Sequence, residues 1–304
     1  MRNPTRLTLM AVLLALSVAW VLPPVYSDAL SERPDGASAQ PSQRGTLKPV
    51  ASTTPDIPFH EYDFQAEQRM IELANQSRMQ AGLQALKYDS GLSRAARIHA
   101  QAMVATHQLS HQFDGEAALP QRLAAETRLQ LDREGENVAF DYNADDGHKH
   151  LMLSPPHRAN LLNPEYNVVG LGVAHSGDRL YIVEDFGHAL PTFSLAEAKT
   201  RVSSAVTQAR RQASQHELQQ RELANLDEAA CSMAKEDKLG TSSIHQLAQR
   251  YTLLTFTSLS PGTLPAGASQ AMARPTLRSY SIGACYARTN TYPTGVYWIV
   301  LALD

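Results

Sequence analysis

Cysteine occurs only twice in the 304 residues, at Cys231 and Cys285, which excludes a disulfide-dense miniprotein and a cysteine-built zinc module. Basic clusters are missing too. With 27 Lys and Arg against 30 Asp and Glu the formal charge is −3, and no stretch concentrates the cations that a phosphate backbone requires, so a nucleic-acid partner is excluded. After residue 22 there is no apolar run of membrane length, and neither an HExxH helix nor a GxSxG elbow occurs. The 43% of hydrophobic residues nevertheless exceed what a disordered chain carries, and the length leaves room for two domains.

The one long apolar run stands at the amino end. Arg2 and Arg6 precede Leu7 to Leu22, and Val25 and Ser27 are small residues before Asp28, a pattern that reads as a signal peptide over residues 1–27, cleaved after Ser27. An uncleaved anchor is the weaker reading, because the run is short and no cysteine follows it for lipidation. The mature chain is therefore expected to be secreted, periplasmic or extracellular, with no stable membrane span. Residues 28–58, with Pro34, Pro41, Pro49, Pro55 and Pro58, read as a flexible linker.

From Tyr62 the apolar spacing turns helical and stops at Gly82, and a second helix is expected from Asp89 or Ser90 through Met103. Helical character returns over Arg122 to Leu131 and again from Asp146, where Pro155 and Pro156 force a break before "HRANLLNP". "YNVVGLGVAHSGDRLYIVEDF" reads as a hairpin turning at Ser176-Gly177-Asp178. Pro191 marks a domain boundary, followed by a polar, solvated connecting helix from Leu195 to about Ala230 and three strand-like runs, "YTLLTFTS", "YSIGACYA" and "VYWIVLAL". Both halves end in a Gly-containing apolar run, a turn and a terminal run with tyrosine. Their spacings differ, and this hint of duplication carries little weight.

Eight of the eleven histidines fall between His99 and His188. Histidine is both the commonest metal ligand and the usual base near neutral pH. His111, His148 and His157 lie in polar, loop-like or helix-end contexts, and Glu136 is the acidic candidate beside them; their spacings match no zinc motif. His99, on an apolar helix face, reads as a hydrogen-bonded core residue, and His150 and His188 as solvent-facing. Asn160 is a candidate helix cap, and Arg158 is expected to brace Glu184 or Asp185.

The order "LSH", "GENVA", "SPPHRANLL", "GLGVA" and "VEDF", preceded by "AARIHAQAM", resembles bacterial members of the CAP superfamily, which includes cysteine-rich secretory proteins, antigen 5 and pathogenesis-related 1 proteins. The resemblance covers about residues 62–188. It implies an α+β fold, an α-β-α sandwich with a central antiparallel sheet, over residues 59–190, leaving a smaller C-terminal α+β domain over 191–304. It also implies a cleft with two histidines and two acids, in which His111 and His157 take the histidine places and Glu136 one acidic place. The remaining place falls to His148, with Asp145 and Asp146 as neighbouring carboxylates. A third imidazole there would favour zinc or copper over calcium or magnesium.

In an exported chain the two cysteines are expected to form one bridge, Cys231 at a helix end to Cys285 in a strand, stapling the smaller domain and leaving the cysteine-free first domain independent of it. Two functions follow. One is a binding module whose cleft holds a divalent metal and a lipid or peptide; the other is a metal-assisted peptidase or esterase with Glu136 as general base. Binding is preferred, since no nucleophile or zincin motif accompanies the cleft. The oligomeric state is not legible.

Overall fold

Asp63 accepts the amide of Ala66 and so starts α1 (Phe64–Gln80), and the chain leaves that helix through Gly82 at φ +75°. The computed structural model describes residues 62–304, so the signal-peptide and linker readings lie outside the described residues. There follow β1 (Lys87–Tyr88), α2 (Ser90–Thr106), α3 (Leu119–Glu126), β2 (Gln130–Asp141), α4 (Ala144–Leu153), α5 (Pro155–Leu161), β3 (Val168–Ser176) and β4 (Arg179–Leu190). Asp89 caps α2 as expected, and Ser154-Pro155 separates α4 from α5. The helical reading of Arg122 to Leu131 is corrected. Thr127 is extended and ends α3, and from Gln130 the chain is drawn into pairing with β4.

The first sheet has the order β1-β3-β4-β2, with β1 parallel to β3 and the other pairs antiparallel. Period-two alternation gives it two apolar faces. Val169, Leu171 and Val173 of β3 pack with Met70, Ala74 and Leu151 of α1 and α4, whereas Ala174 and Val183 pack with Ala96, Ala100 and Met103 of α2. These layers make the α-β-α sandwich. Arg78, buried in α1, donates to the carbonyls of Gln84, Leu161, Asn163 and Tyr166, fastening the α1–β1 loop to the end of α5 and the loop that leads into β3.

The second half comprises α6 (Leu195–Gln212), β5 (Gln219–Gln220), α7 (Leu226–Glu236), α8 (Ser242–Ala248), β6 (Thr252–Ser258), α9 (Ala266–Met272), β7 (Ser279–Ala287) and β8 (Val296–Leu303). Its three long strands lie where the apolar runs predicted. The single connecting helix does not exist as expected: it is split at 213–225, and α6 is not solvated all round but buries Ala198, Val202, Val206 and Ala209 against the second sheet. That sheet has the order β5-β7-β8-β6, again with its two-residue strand parallel to its neighbour. Order and strand directions repeat those of the first sheet. Arg210 of α6 also repeats Arg78, donating to the carbonyls of His216, Met272 and Arg274. The Cys231–Cys285 disulfide joins the middle of α7, rather than its end, to β7. Among the described residues no helix is long and apolar enough to cross a membrane.

Candidate functional site

Antiparallel register between β2 and β4 sets Glu136 opposite Asp185 and Asn137 opposite Glu184. Alternation then sends the first pair to the α2 side of the sheet and the second to the α5 side. On the α2 side, His111 Nδ1 lies 2.9 Å from Glu136 Oε1, and Arg122 Nη2 donates to Glu136 Oε2 at 2.8 Å. Both oxygens of Glu136 are thereby engaged, and only 3% of its side chain is exposed, against 60% for His111. Arg122 also approaches Glu116 Oε1 at 3.5 Å, and Glu116 in turn meets His99 Nδ1 at 2.7 Å. His99 is wholly buried with Nε2 2.8 Å from the Ser110 carbonyl oxygen, the hydrogen-bonded core residue expected.

Asp185 completes this cluster. Both its carboxyl oxygens are buried with no donor facing them. Burial first, then the negative charge of Glu136, push the Asp185 carboxyl well above the ordinary carboxylate range, while Arg122 pulls it back. Arg122 is the cation between Glu116, Glu136 and Asp185. Arg158, expected in that role, is exposed instead.

On the α5 side Asn137 donates to Glu184 Oε2 at 3.0 Å and to the His157 carbonyl at 3.1 Å, and Asn160 donates to Asn137 Oδ1 and to the Glu136 carbonyl. Asn160 is thus a strap between α5 and β2, not a helix cap. Glu184 is fully buried, and desolvation, opposed only by the Asn137 hydrogen bond, raises its carboxyl to about 7. The imidazole of His157 is held below its usual range by burial and then by the charge of His111.

His148 lies elsewhere. It is buried in α4 with Nε2 2.8 Å from Ser77 Oγ of α1, and burial keeps its imidazole low. It turns inward because Gly147 and His148 occupy the α4 face that packs on α1, a direction that depends on where the helix begins. Asp145 pairs with Arg69, and Asp146 bonds Asn143 within the cap of α4. His150 and His188 sit near the surface against Asp141 and Asp132. Among the described residues no three His, Cys, Asp or Glu side chains are grouped so as to hold a metal ion. Sequence reading missed Arg122 and Asp185 beside Glu136, and Glu116, which Arg122 and His99 tie into the same cluster. Only the adjacency of "GEN" and "VED" on neighbouring strands could have pointed to Asp185.

Residues 71–186 match the sequence pattern of the cysteine-rich secretory protein family, CAP. This part of the chain is a CAP domain. The chain is 31% identical over 112 residues to the uncharacterized protein YkwD of Bacillus subtilis, covering 36% of this chain and 43% of that one. It is 30% identical over 145 residues to the uncharacterized membrane protein YlbC of the same organism, covering 47% and 40%. It thus spans about two fifths of the length of these curated relatives. An extracellular protein containing an SCP domain from Bacillus anthracis is similar in structure over 41% of this chain and 40% of its own, with 24% identity and a TM-score of 0.38. The His111, Glu136 and Asp185 cluster lies within the CAP domain.

Proposed function

We propose that the CAP domain is an extracellular binding module whose cleft, between His111 and His157, takes a divalent transition ion, zinc or copper, and with it a small lipid or peptide. The observation that carries this reading is the double engagement of Glu136. A carboxylate that accepts from His111 Nδ1 fixes the tautomer and offers Nε2 outward as a ligand, the arrangement that orients metal-binding imidazoles. His157, held neutral by its surroundings, supplies a second unprotonated nitrogen. Two imidazoles suit zinc or copper, and with water or a bound ligand in the remaining positions the ion would exchange readily. His148, fastened to Ser77, takes no part.

The hydrolase reading has less support. A general base needs a free oxygen facing the water it deprotonates, and Glu136 has both oxygens occupied and buried. Titration calorimetry with zinc chloride at pH 7.5 tests the site: heat is expected for the wild type and none for the double variant His111→Ala, His157→Ala. Binding should weaken below about pH 6, where imidazoles protonate. Absence of heat in the wild type, or equal heat in the variant, would overturn the assignment, and peptidase or esterase activity lost on chelation would restore the enzyme reading.

A further inference from the structure

The two sheets can be superposed by register alone, because Lys87 faces Val168 in the first as Gln219 faces Ser279 in the second. Gly172, against the Ala96 backbone, then corresponds to Gly283, against the Leu226 backbone, so α7 seats on its sheet as α2 does. In the same register Glu136 and Asp185 become Leu253 and Ala302, and Asn137 and Glu184 become Leu254 and Leu301. The four polar side chains at the heart of the CAP site are hydrocarbon in the second half.

What the second half keeps is a grip on the first. Arg288, just beyond β7, donates to the carbonyls of Ala124 at 2.6 Å and Thr127 at 2.8 Å and reaches that of Leu129 at 3.4 Å. Thr294 Oγ1 accepts from the Leu131 amide and donates to the Leu131 carbonyl, and Gln130 Nε2 donates to the Leu259 carbonyl. All these bonds fall on residues 124–131. That segment joins α3, which carries Arg122, to β2, which carries Glu136.

We infer that the C-terminal half is a site-less copy of the CAP fold that braces the α3–β2 connector, with Arg288 as a positioning residue for the Arg122–Glu136–His111 cluster. α3 has eight residues and no side-chain cap at its amino end, too short to persist by itself. A guanidinium on its last carbonyls satisfies orphan acceptors and opposes the negative end of the helix dipole. Buried Leu123 and Arg94, which bonds Glu126, hold it from the α2 side. Arg288 is the clamp on the other side. Without it the helix end frays, and Arg122 leaves three carboxyl groups without their cation.

The effect on ligand affinity rests on the zinc reading, but the brace does not. In the full chain, Arg288→Ala should speed amide hydrogen exchange at Leu129 and Leu131 at least tenfold and broaden the slowly exchanging Arg122 guanidinium signal in NMR. Zinc affinity should fall about tenfold, as expected when an outer partner of a ligating histidine is displaced. Arg122→Ala should lose the same factor, and the double variant no more than either single one. Thr294→Val, which leaves Arg288 in place, should speed exchange at Leu131 alone, and circular dichroism would show that each variant is folded. Unchanged exchange and Arg122 signals in Arg288→Ala, or additive losses in the double variant, would overturn the brace. A wild type without zinc heat would overturn the metal reading, and the exchange data would then decide the brace by themselves.

Discussion

Glu184 has its carboxyl wholly inside the protein with one amide, that of Asn137, to offset the loss of water. A glutamate of the unfolded chain loses its proton near the ordinary value of 4.5, whereas the native protein keeps the Glu184 proton up to about 7. Between these values the native state binds more protons than the unfolded state. Its contribution is therefore fully present below 4.5 and declines as pH rises through 7, by on the order of 3 kcal/mol. Glu184→Gln, which retains an oxygen for Asn137, should remove this dependence and be the more stable protein at pH 8. Urea unfolding of both proteins at pH 5 and pH 8 checks it; a parallel pH response in the two would show that Glu184 titrates normally. Asp185, raised by burial and by Glu136, adds a slope of the same sign.

At the scale of elements, the seat of α2 on β3 depends on missing side chains. A Cβ on Gly172 would lie 2.2 Å from the main-chain carbon of Ala96, and one on Gly170 would lie 2.2 Å from the amide nitrogen of Ser93. Backbone cannot yield as a flexible side chain can. Gly172→Ala should therefore push α2 off the sheet and cost roughly 3 kcal/mol, the upper part of the range for overpacking. His99, carried by α2, would move with it, so its ring signals should shift as well. A melting temperature equal to wild type would mean that the two layers have more freedom than their contacts suggest.

For the whole molecule, the bridge between Cys231 and Cys285 closes a loop 54 residues apart in sequence. In the chain-entropy account such a closure contributes about 4 kcal/mol. The first half contains no cysteine, yet reduction should reach it. The strand that carries Cys285 leads directly to Arg288 and Thr294, and loosening it should raise hydrogen exchange over 127–131 under reducing conditions. Mass spectrometry of the native protein, without reductant, should find no free thiol. Exchange over 127–131 that is indifferent to reduction would mean that the two halves are held together by other contacts.

Local chemistry made much of this protein legible in its sequence. Asp89 before an apolar period, Gly82 after one, Ser-Pro-Pro between α4 and α5, and Ser-Gly-Asp between two β-branched runs act within a few residues of themselves, so the elements they bound are where the sequence places them. His111 and Glu136 were recognisable because their motifs stand in a familiar order. Their partners were not, since the pairing of Glu136 with Asp185 depends on which residue of β2 faces which of β4, and a slip of one would leave the two carboxyls on opposite sides of the sheet. The inward turn of His148 and the burial of the alanine-rich α6 were decided in the same way, by which helix face the packed sheet met. So was the kinship of the two halves, which survives in hydrogen-bond register after the side chains that would have announced it became leucine and alanine.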